Sequence, residues 1–432
     1  MDDVLTDEQR MLVDASARFI ERTCPLEKVR AQAYTDPAFA RAYRRQAAEL
    51  GWFAPLVPAD LGGGSMSDNA VFDAALVAYH RGRLLQPGPF VGTNVVAYAL
   101  AVAGTGEHTA KVLPALLSGE ASAAWAPAVP SASASVPVPT GAGRVPGARP
   151  WPNRVGGPGN PVSATRSGDG WRLSGRATFV ENPGPDGWYL VSAAAEDATA
   201  TTDGGGGPAL VQFLLPADTP GLRVQPLESL DLTRRFVGLE FDGVTVGSAG
   251  RLHAADLGDD ELIARQLALA CVLTAAESVG AMDYELALTV QYAKDRIAFG
   301  RPIGSFQALK HVLADASLVL EMSKAITAAA AQRLGEAVGL AGTDVPGRST
   351  DANPAEAGSD LRDYGLEAAS MAKAYVGEHG VSLAQNCFQI FGGIGFTWEH
   401  DQHLFLRRLT TDAAFFGDPA WHREHLCQLS GI

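Results

Sequence analysis

The amino-acid sequence predicts an α+β protein ordered as helices, then strands, then helices. Three observations carry that prediction. Apolar residues recur at helical spacing up to about residue 120 and again beyond Asp256. Between them lie short apolar runs, such as Trp188–Ser192 and Leu210–Leu215, set off by Gly and Pro. Two stretches crowded with Gly, Pro, Ala, Ser or Asp, 127–161 and 335–362, have little to bury and read as an insert and a loop. The expected division is an N-terminal helical domain (1–120), a central β domain (121–252) and a C-terminal helical bundle (253–432).

The first helix starts at Thr6, a good N-cap, with Asp7 and Glu8 in the first turn. Leu12, Ala15, Phe19 and Ile20 then share one helical face. Phe39 to Leu50 is a second helix, closed by Gly51. Pro55, Pro58 and Gly62–Gly64 make a loop, and Asn69–Leu85 and Thr93–Ala103 are alanine-rich helices. In the β domain, Gly170–Gly175 reads as a hairpin corner and 199–208 as a glycine-rich hairpin loop. Gly221–Val224 and Gly238–Val246 complete the sheet. Leu262–Lys294 and Phe306–Arg333 are long helices, and Tyr364–Phe391 and Gln402–Phe415 finish the bundle.

Bulk properties exclude several classes. A net charge of -14 argues against nucleic acid. Cys24, Cys271, Cys387 and Cys427 are scattered, with neither disulfide nor zinc spacing, as expected of reduced cytoplasmic thiols. The polar start lacks a signal peptide, and no stretch reads as a membrane span.

Chemistry concentrates in one run, Gln389 to Arg408. Gly392, Gly393 and Gly395 let backbone N–H groups come close to a ligand, and Arg407 and Arg408 follow. A phosphate-rich or planar cofactor suits such a corner, and a tight turn between helices suits it equally. His400 and His403 lack further ligands nearby, so they read as packing or polar contacts rather than a metal site. A second run, Tyr292 to Gln307, contains Arg296, Phe299 and Gly300.

Together these runs resemble the acyl-CoA dehydrogenase family. Its Arg-x-x-Phe-Gly, with a glutamine eleven residues after the arginine, is matched by Arg296, Phe299, Gly300 and Gln307. Its Gln-x-x-Gly-Gly-x-Gly is matched by Gln389, Gly392, Gly393 and Gly395. Leu5–Gln9 and the run from Glu49 to Gly64 are also similar. The resemblance implies a helical domain, a small β-barrel-like domain and a four-helix bundle around FAD. It implies an acyl thioester of CoA or carrier protein, oxidised when a carboxylate takes the α-proton and flavin takes the β-hydrogen. By the family pattern Arg296 meets the FAD pyrophosphate. Phe299 packs near the flavin or the adenine, and Gln307, Gln389, Gly392 and Gly393 hold the adenosine side; these groups reach FAD across a subunit boundary, which implies an oligomer.

The chain departs from the family at the base. The usual glutamate lies 27 residues after the motif glutamine, and that position is Phe416, followed by Gly417 and Asp418. The alternative base position, 30 residues before Gly300, is Ala270. The family's Trp-Ile-Thr-Asn against the flavin aligns with Phe179–Asn182, so Phe179 is expected to cover the ring and Glu181 replaces a threonine near flavin N5. Of the pyrimidine-binding Thr-Glu-Pro-Gly only Ala126–Pro127 remains. Asp418 and Glu181 are the candidate bases, with Glu277 and Asp412 behind them. The alternative for Asp418 is an N-cap, and for Glu277 a structural contact.

Three functions follow. One is an FAD-dependent α,β-dehydrogenase, either self-sufficient with a relocated base or the base-poor subunit of a heteromer. The second is other flavin chemistry on the same fold. The third is a non-catalytic partner of a catalytic homologue.

Overall fold

The computed structural model describes residues 5–32, 35–127, 162–196, 209–254, 257–340 and 354–429. The insert from 128 to 161 and the hairpin loop at 199–208 lie outside the described residues.

Six helices open the chain: α1 (Asp7–Thr23), α2 (Leu26–Arg30), α3 (Pro37–Glu49), α4 (Ala70–Arg83), α5 (Phe90–Ala103) and α6 (Leu113–Leu117). Thr6 and Gln9 close a reciprocal capping box on α1. Asp36 caps α3 and Asn69 caps α4.

Eight strands follow: β1 (Ala123–Ala126), β2 (Ser163–Ser167), β3 (Gly170–Glu181), β4 (Trp188–Ala195), β5 (Leu210–Pro216), β6 (Leu222–Leu227), β7 (Phe236–Val246) and β8 (Arg251–Leu252). They form one sheet in the order β6-β7-β3-β2-β4-β5-β8, with β1 parallel to β4. Its own core includes Trp171, Phe213, Val237 and Phe241. The expected hairpin corner at Gly170–Gly175 is instead the start of the twelve-residue β3. The corner falls earlier, at Gly168, whose φ of 64° suits a tight turn between paired Ser167 and Gly170. Near its far end β3 slips register against β7 between Ala177 and Val180. That bulge carries Phe179 and ends the strand at Glu181.

The last segment holds α7 (Asp259–Asp295), the hairpin β9 (Ile297–Ala298) and β10 (Arg301–Pro302), then α8 (Gln307–Ala337), α9 (Pro354–Phe391), α10 (Gln402–Ala414) and α11 (Pro419–Leu429). α7 to α10 pack as a bundle, with α11 on α9. The expected loop 335–362 is shorter than its composition implies: α8 runs to Ala337 and α9 starts at Pro354. Proline's fixed φ suits a first helical turn, and the Ala-Glu-Ala that follows propagates it. A second correction concerns α7, which is long and apolar enough to cross a membrane. It is the buried core helix of this fold, which explains that composition.

α7 crosses α4 at two glycines. A Cβ on Gly82 would sit 1.8 Å from the Glu277 carbonyl oxygen, and one on Gly280 would sit 1.9 Å from that of Tyr79. This close crossing brings Arg81 beside Glu277. Gly82→Ala or Gly280→Ala should therefore force the helices apart and cost at least about 1–3 kcal/mol. A thermal unfolding midpoint equal to that of the parent would contradict this packing.

Inside the bundle Glu285 is fully buried and bonded by Gln402. Burial pushes its carboxyl up to about 8. The folded state thus binds a proton that the unfolded state releases near its ordinary value of 4.5. The stability this proton confers is complete below that value and drains away as pH rises to about 8. Glu285→Gln has no proton to lose, so its denaturation midpoint should overtake the parent's as pH climbs from 5 to 8.5, by a few kcal/mol at most. Parallel pH profiles for the two proteins would contradict the assignment.

Candidate functional site

Three of the four candidate carboxylates meet around one arginine. Arg234, in the β6–β7 connection, donates from Nη1 to Asp412 at 2.6 Å and from Nη2 to Glu277, and its Nε lies 3.8 Å from Glu181 Oε1. All four side chains are at most 5% exposed. Glu277 also accepts from Arg81 Nε at 3.2 Å. Arg81 itself lies over the Phe90 ring at 4.6 Å. Next to this group, Arg408 donates to Asp231 at 2.8 Å and to Thr233, and two N–H···O contacts reach the carbonyls of Leu85 and Gln86. Arg408 is fully buried and serves as a strut between three elements, not as a phosphate ligand.

The charges do not balance. Four buried carboxylates (Glu181, Asp231, Glu277 and Asp412) face three guanidiniums (Arg81, Arg234 and Arg408). Burial raises Glu181 to about 7 against the pull of Arg234, and Asp412 to about 6 against Arg234 and Arg408. Asp231 moves the other way: burial opposes it, but Arg408, Arg234 and the Thr233 hydrogen bonds hold it low. Glu277 and Asp412, each bonded to Arg234, are therefore structural members of an ion network.

Asp418 stands apart. Its carboxylate accepts from the Trp421 backbone N–H at 2.8 Å and caps α11. The N-cap alternative describes it.

The two positions where the family keeps its base are both apolar and closed. Ala270 is fully buried in α7. Phe416 is 1% exposed and lies on a turn held from below. Lys373 Nζ donates to the carbonyls of Gly417 at 2.9 Å and Ala413 at 3.1 Å, and His422 Nε2 lies 3.1 Å from the Phe416 carbonyl. Burial lowers both Lys373 and His422, and it raises the neighbouring Cys271 thiol to about 12, so none of them is a poised acid or base.

Phe179, expected to cover the flavin ring, is half-buried. Its ring stacks on Phe236 at 4.3 Å and 11°, and meets Phe415 edge-on at 5.5 Å. Phe415 touches Phe416 at 3.9 Å, and Phe416 stacks on Trp125 at 5.9 Å. A continuous aromatic column thus joins the flavin-wall position to the base position. Among the described residues only five non-glycines have positive φ, and Phe179, Phe299 and Phe416 are three of them.

The other motif residues face outward. Arg296, Phe299, Gln307, Gln389 and Gly393 are exposed and Gly392 is half-buried. Phe299, at the tip of the β9–β10 hairpin, is 95% exposed with φ of 52°. Tyr292 packs on Phe391 with ring centroids 4.6 Å apart, which joins the arginine motif to the glycine motif. The glycines form a short 3-10 turn, Gly392–Phe396. A Cβ on Gly392 or Gly393 would meet nothing within 4 Å, so no packing inside this chain requires a glycine there. The guanidinium of Arg296 makes no ion pair among the described residues, including none with Asp295 or Asp315. Around this patch Ile297, Ile394, Phe396 and Trp398 are all at least 45% exposed. His400 packs on Phe391 and His403 on Trp398.

Arg234 and Arg81 were not among the residues singled out from the sequence. Arg234 lies 43 residues from Glu277 and 178 from Asp412, so no local pattern links them.

Comparison with known proteins agrees with this geometry. The N-terminal domain of acyl-CoA dehydrogenases matches residues 6–120, and their C-terminal domain matches 261–345 and 350–428. The chain is 26% identical over 426 residues to acyl-CoA dehydrogenase IpdE2 of Mycolicibacterium smegmatis, covering 98% of both chains. Among solved structures it superposes on the ChsE4-ChsE5 complex from Mycobacterium tuberculosis with a TM-score of 0.75 and 23% identity, covering 100% of this chain and 99% of that one. It also superposes on a variant of the Tcur3481-Tcur3483 steroid acyl-CoA dehydrogenase with a TM-score of 0.73 and 25% identity, covering 98% of each. The chain belongs to the acyl-CoA dehydrogenase family, oxidoreductases that act on CH–CH bonds with FAD as cofactor.

The residues present fit FAD unevenly. The exposed Arg296 and the open glycine turn suit the phosphate and adenosine side of a cofactor seated against another chain. Phe179, Phe236, Phe415, Phe416 and Trp125 pack on one another at the segment that aligns with the family's flavin wall.

Proposed function

We propose that the chain is one subunit of a heteromeric acyl-CoA dehydrogenase, lending its arginine and glycine motifs to FAD carried by a second, base-bearing subunit. The observation that carries this reading is the aromatic column from Phe179 through Phe415 to Phe416. It runs from the segment aligned with the flavin wall to Phe416 at the counted base position, whereas the outward motif stays complete. Three of the four candidates for a relocated base are engaged elsewhere: Asp418 caps a helix, and Glu277 and Asp412 are bound by Arg234, which leaves Glu181, 3.8 Å from the Arg234 guanidinium, as the carboxylate on which a self-sufficient enzyme would depend.

The family reaction, loss of two hydrogens from Cα and Cβ of an acyl thioester, then runs in the partner's site. This chain's part is to place a guanidinium on phosphate, to press backbone N–H groups against the cofactor and to exclude water with Phe299, Phe396 and Trp398. Two observations favour a mixed assembly: the exposed apolar patch around the motif, and the paired naming of the Tcur3481-Tcur3483 enzyme, whose structure is 25% identical.

Flavin counting tests the proposal. Purified alone, the chain should show no flavin band near 450 nm. Co-expressed with a flavin-binding acyl-CoA dehydrogenase homologue, it should yield a yellow complex with about one FAD for every two chains. One FAD per chain in the isolated protein would overturn the proposal.

A further inference from the structure

The glycine turn Gly392–Phe396 runs into α10 through the segment 397–401. Thr397, Trp398 and Glu399 are exposed. The backbone bonds here are local: the Thr397 N–H donates to the Ile394 carbonyl, and the His400 N–H donates to the Thr397 carbonyl. An exposed stretch bonded only to itself opens easily unless something outside it holds it.

That hold comes from the N-terminal domain. Arg30, the last residue of α2, donates from Nη1 to the Glu399 carbonyl at 2.9 Å and to Asp401 at 2.7 Å. Among the described residues it is the one side chain of α1–α6 that hydrogen-bonds this segment. Buried Leu26 and Val29 seat α2, so the arginine is offered from a fixed base. Asp401 breaks a local rule to meet it. It stands at the N-cap of α10, where an aspartate ordinarily accepts from the first free N–H groups, yet its side chain makes no capping bond. His400 takes over part of that work, since its Nδ1 accepts from the Gln402 N–H at 3.2 Å. Burial holds the His400 pKa below its ordinary value, which keeps the ring neutral and Nδ1 free to accept. The Asp401 carboxylate is thereby left for Arg30. The start of α10 bears on the turn in its own right, because a Cβ on Gly395 would lie 3.6 Å from Gln402 Cγ.

We propose, resting on the subunit assignment for the ligand, that Arg30 is a positioning residue for the cofactor corner: it fixes Glu399 and Asp401 from the N-terminal domain, and through them sets the turn Gly392–Phe396 against FAD. Arg30 acts through the turn and is given no contact with the cofactor. Holding the turn in its binding position before FAD arrives removes an ordering cost from binding. The ion pair is half-buried and joins two surface segments, so its loss should move the corner far more than it moves global stability. Both bonds leave from one nitrogen, so a lysine ammonium, with three N–H donors, can replace them, whereas glutamine lacks the charge.

Two measurements test it. Hydrogen–deuterium exchange of the full-length chain alone reads the position of the turn without flavin. Arg30→Gln should speed exchange in peptides covering 392–401 about fivefold, with α7 and the sheet unchanged, and Arg30→Lys should restore most of the protection. Titration of the mixed complex with FAD reads the consequence: Arg30→Gln should weaken FAD binding roughly three- to tenfold, and Arg30→Lys should recover most of that loss. Arg41→Gln, which breaks the exposed pair with Asp186, is the control and should match the parent in both measurements. Unaltered exchange over 392–401 in Arg30→Gln would overturn the proposal whatever the flavin does. Faster exchange with FAD affinity equal to the parent's, or a loss that Arg30→Lys does not mend, would overturn it too. A parent mixed complex that holds no FAD would overturn the subunit assignment instead, and the exchange result would still decide for or against Arg30.

Discussion

Arg296→Ala should strip FAD from the mixed complex while leaving the two chains assembled. In this chain the Arg296 guanidinium is exposed and has no ion-pair partner among the described residues. Its backbone is fixed at both ends, since its N–H closes α7 on Tyr292 and its carbonyl accepts from Ile303. The side chain is therefore presented on a rigid hairpin, which lowers the entropy lost on binding phosphate. A charge-assisted contact of this kind contributes about 1.5–3 kcal/mol, so its loss should weaken FAD binding roughly 10- to 100-fold. The measurement is the ratio of absorbance at 450 and 280 nm after gel filtration at low FAD. Arg301→Ala is the control, because Arg301 lies over the Phe306 ring at 4.1 Å inside the same hairpin. Equal flavin content in the Arg296→Ala and parent complexes would falsify the assignment of the motif to the cofactor.

The sequence exposes those features that rest on local chemistry. Thr6, Asp36 and Asn69 cap helices because a side-chain oxygen reaches an N–H two or three residues away. The motif residues Arg296 to Gln307 and Gln389 to Gly395 stand within two short runs, so spacing alone displays them. The loss of the base is equally legible, since Phe416 and Ala270 are read by counting. What spacing does not display is the consequence. Phe179, Trp125, Phe236 and Phe415 come from four separate stretches, and only the fold stacks them into one column. The bulge that aims Phe179 depends on register against β7, which no single strand encodes. Composition also misleads at α7, where a helix buried on nearly every side is apolar enough to pass for a membrane span. It misleads again after Pro354, where residues that would suit a loop propagate a helix packed on α8.

Arg234→Met should cause the largest loss of stability of any single substitution in the ion network, and the loss should depend on pH. Arg234 is the shared partner of Glu181, Glu277 and Asp412. Without it Arg81 still serves Glu277, but Glu181 and Asp412 are buried without a paired cation, with only the more distant pull of Arg408 left to both. Removing one partner of a buried ion pair costs about 3–5 kcal/mol, because the remaining charge has lost its water and gained nothing. Both carboxyls already sit high, at about 7 and about 6, because burial outweighs Arg234. Deleting that arginine raises them further. A carboxyl raised in the folded state confers stability that is complete below its unfolded value and is lost as pH rises through the folded one. The variant should therefore lie closest to the parent near pH 5, where both groups take up protons, and fall furthest behind near pH 8. Denaturant midpoints of the two proteins at those pH values measure the gap. Adding Asp412→Asn and Glu181→Gln to Arg234→Met should close most of it at pH 8, since neither amide carries a charge to strand. A gap of the same size at both pH values, untouched by the two amides, would mean that lost packing rather than stranded charge explains the defect, and that Arg234 is not what holds these acids in the core.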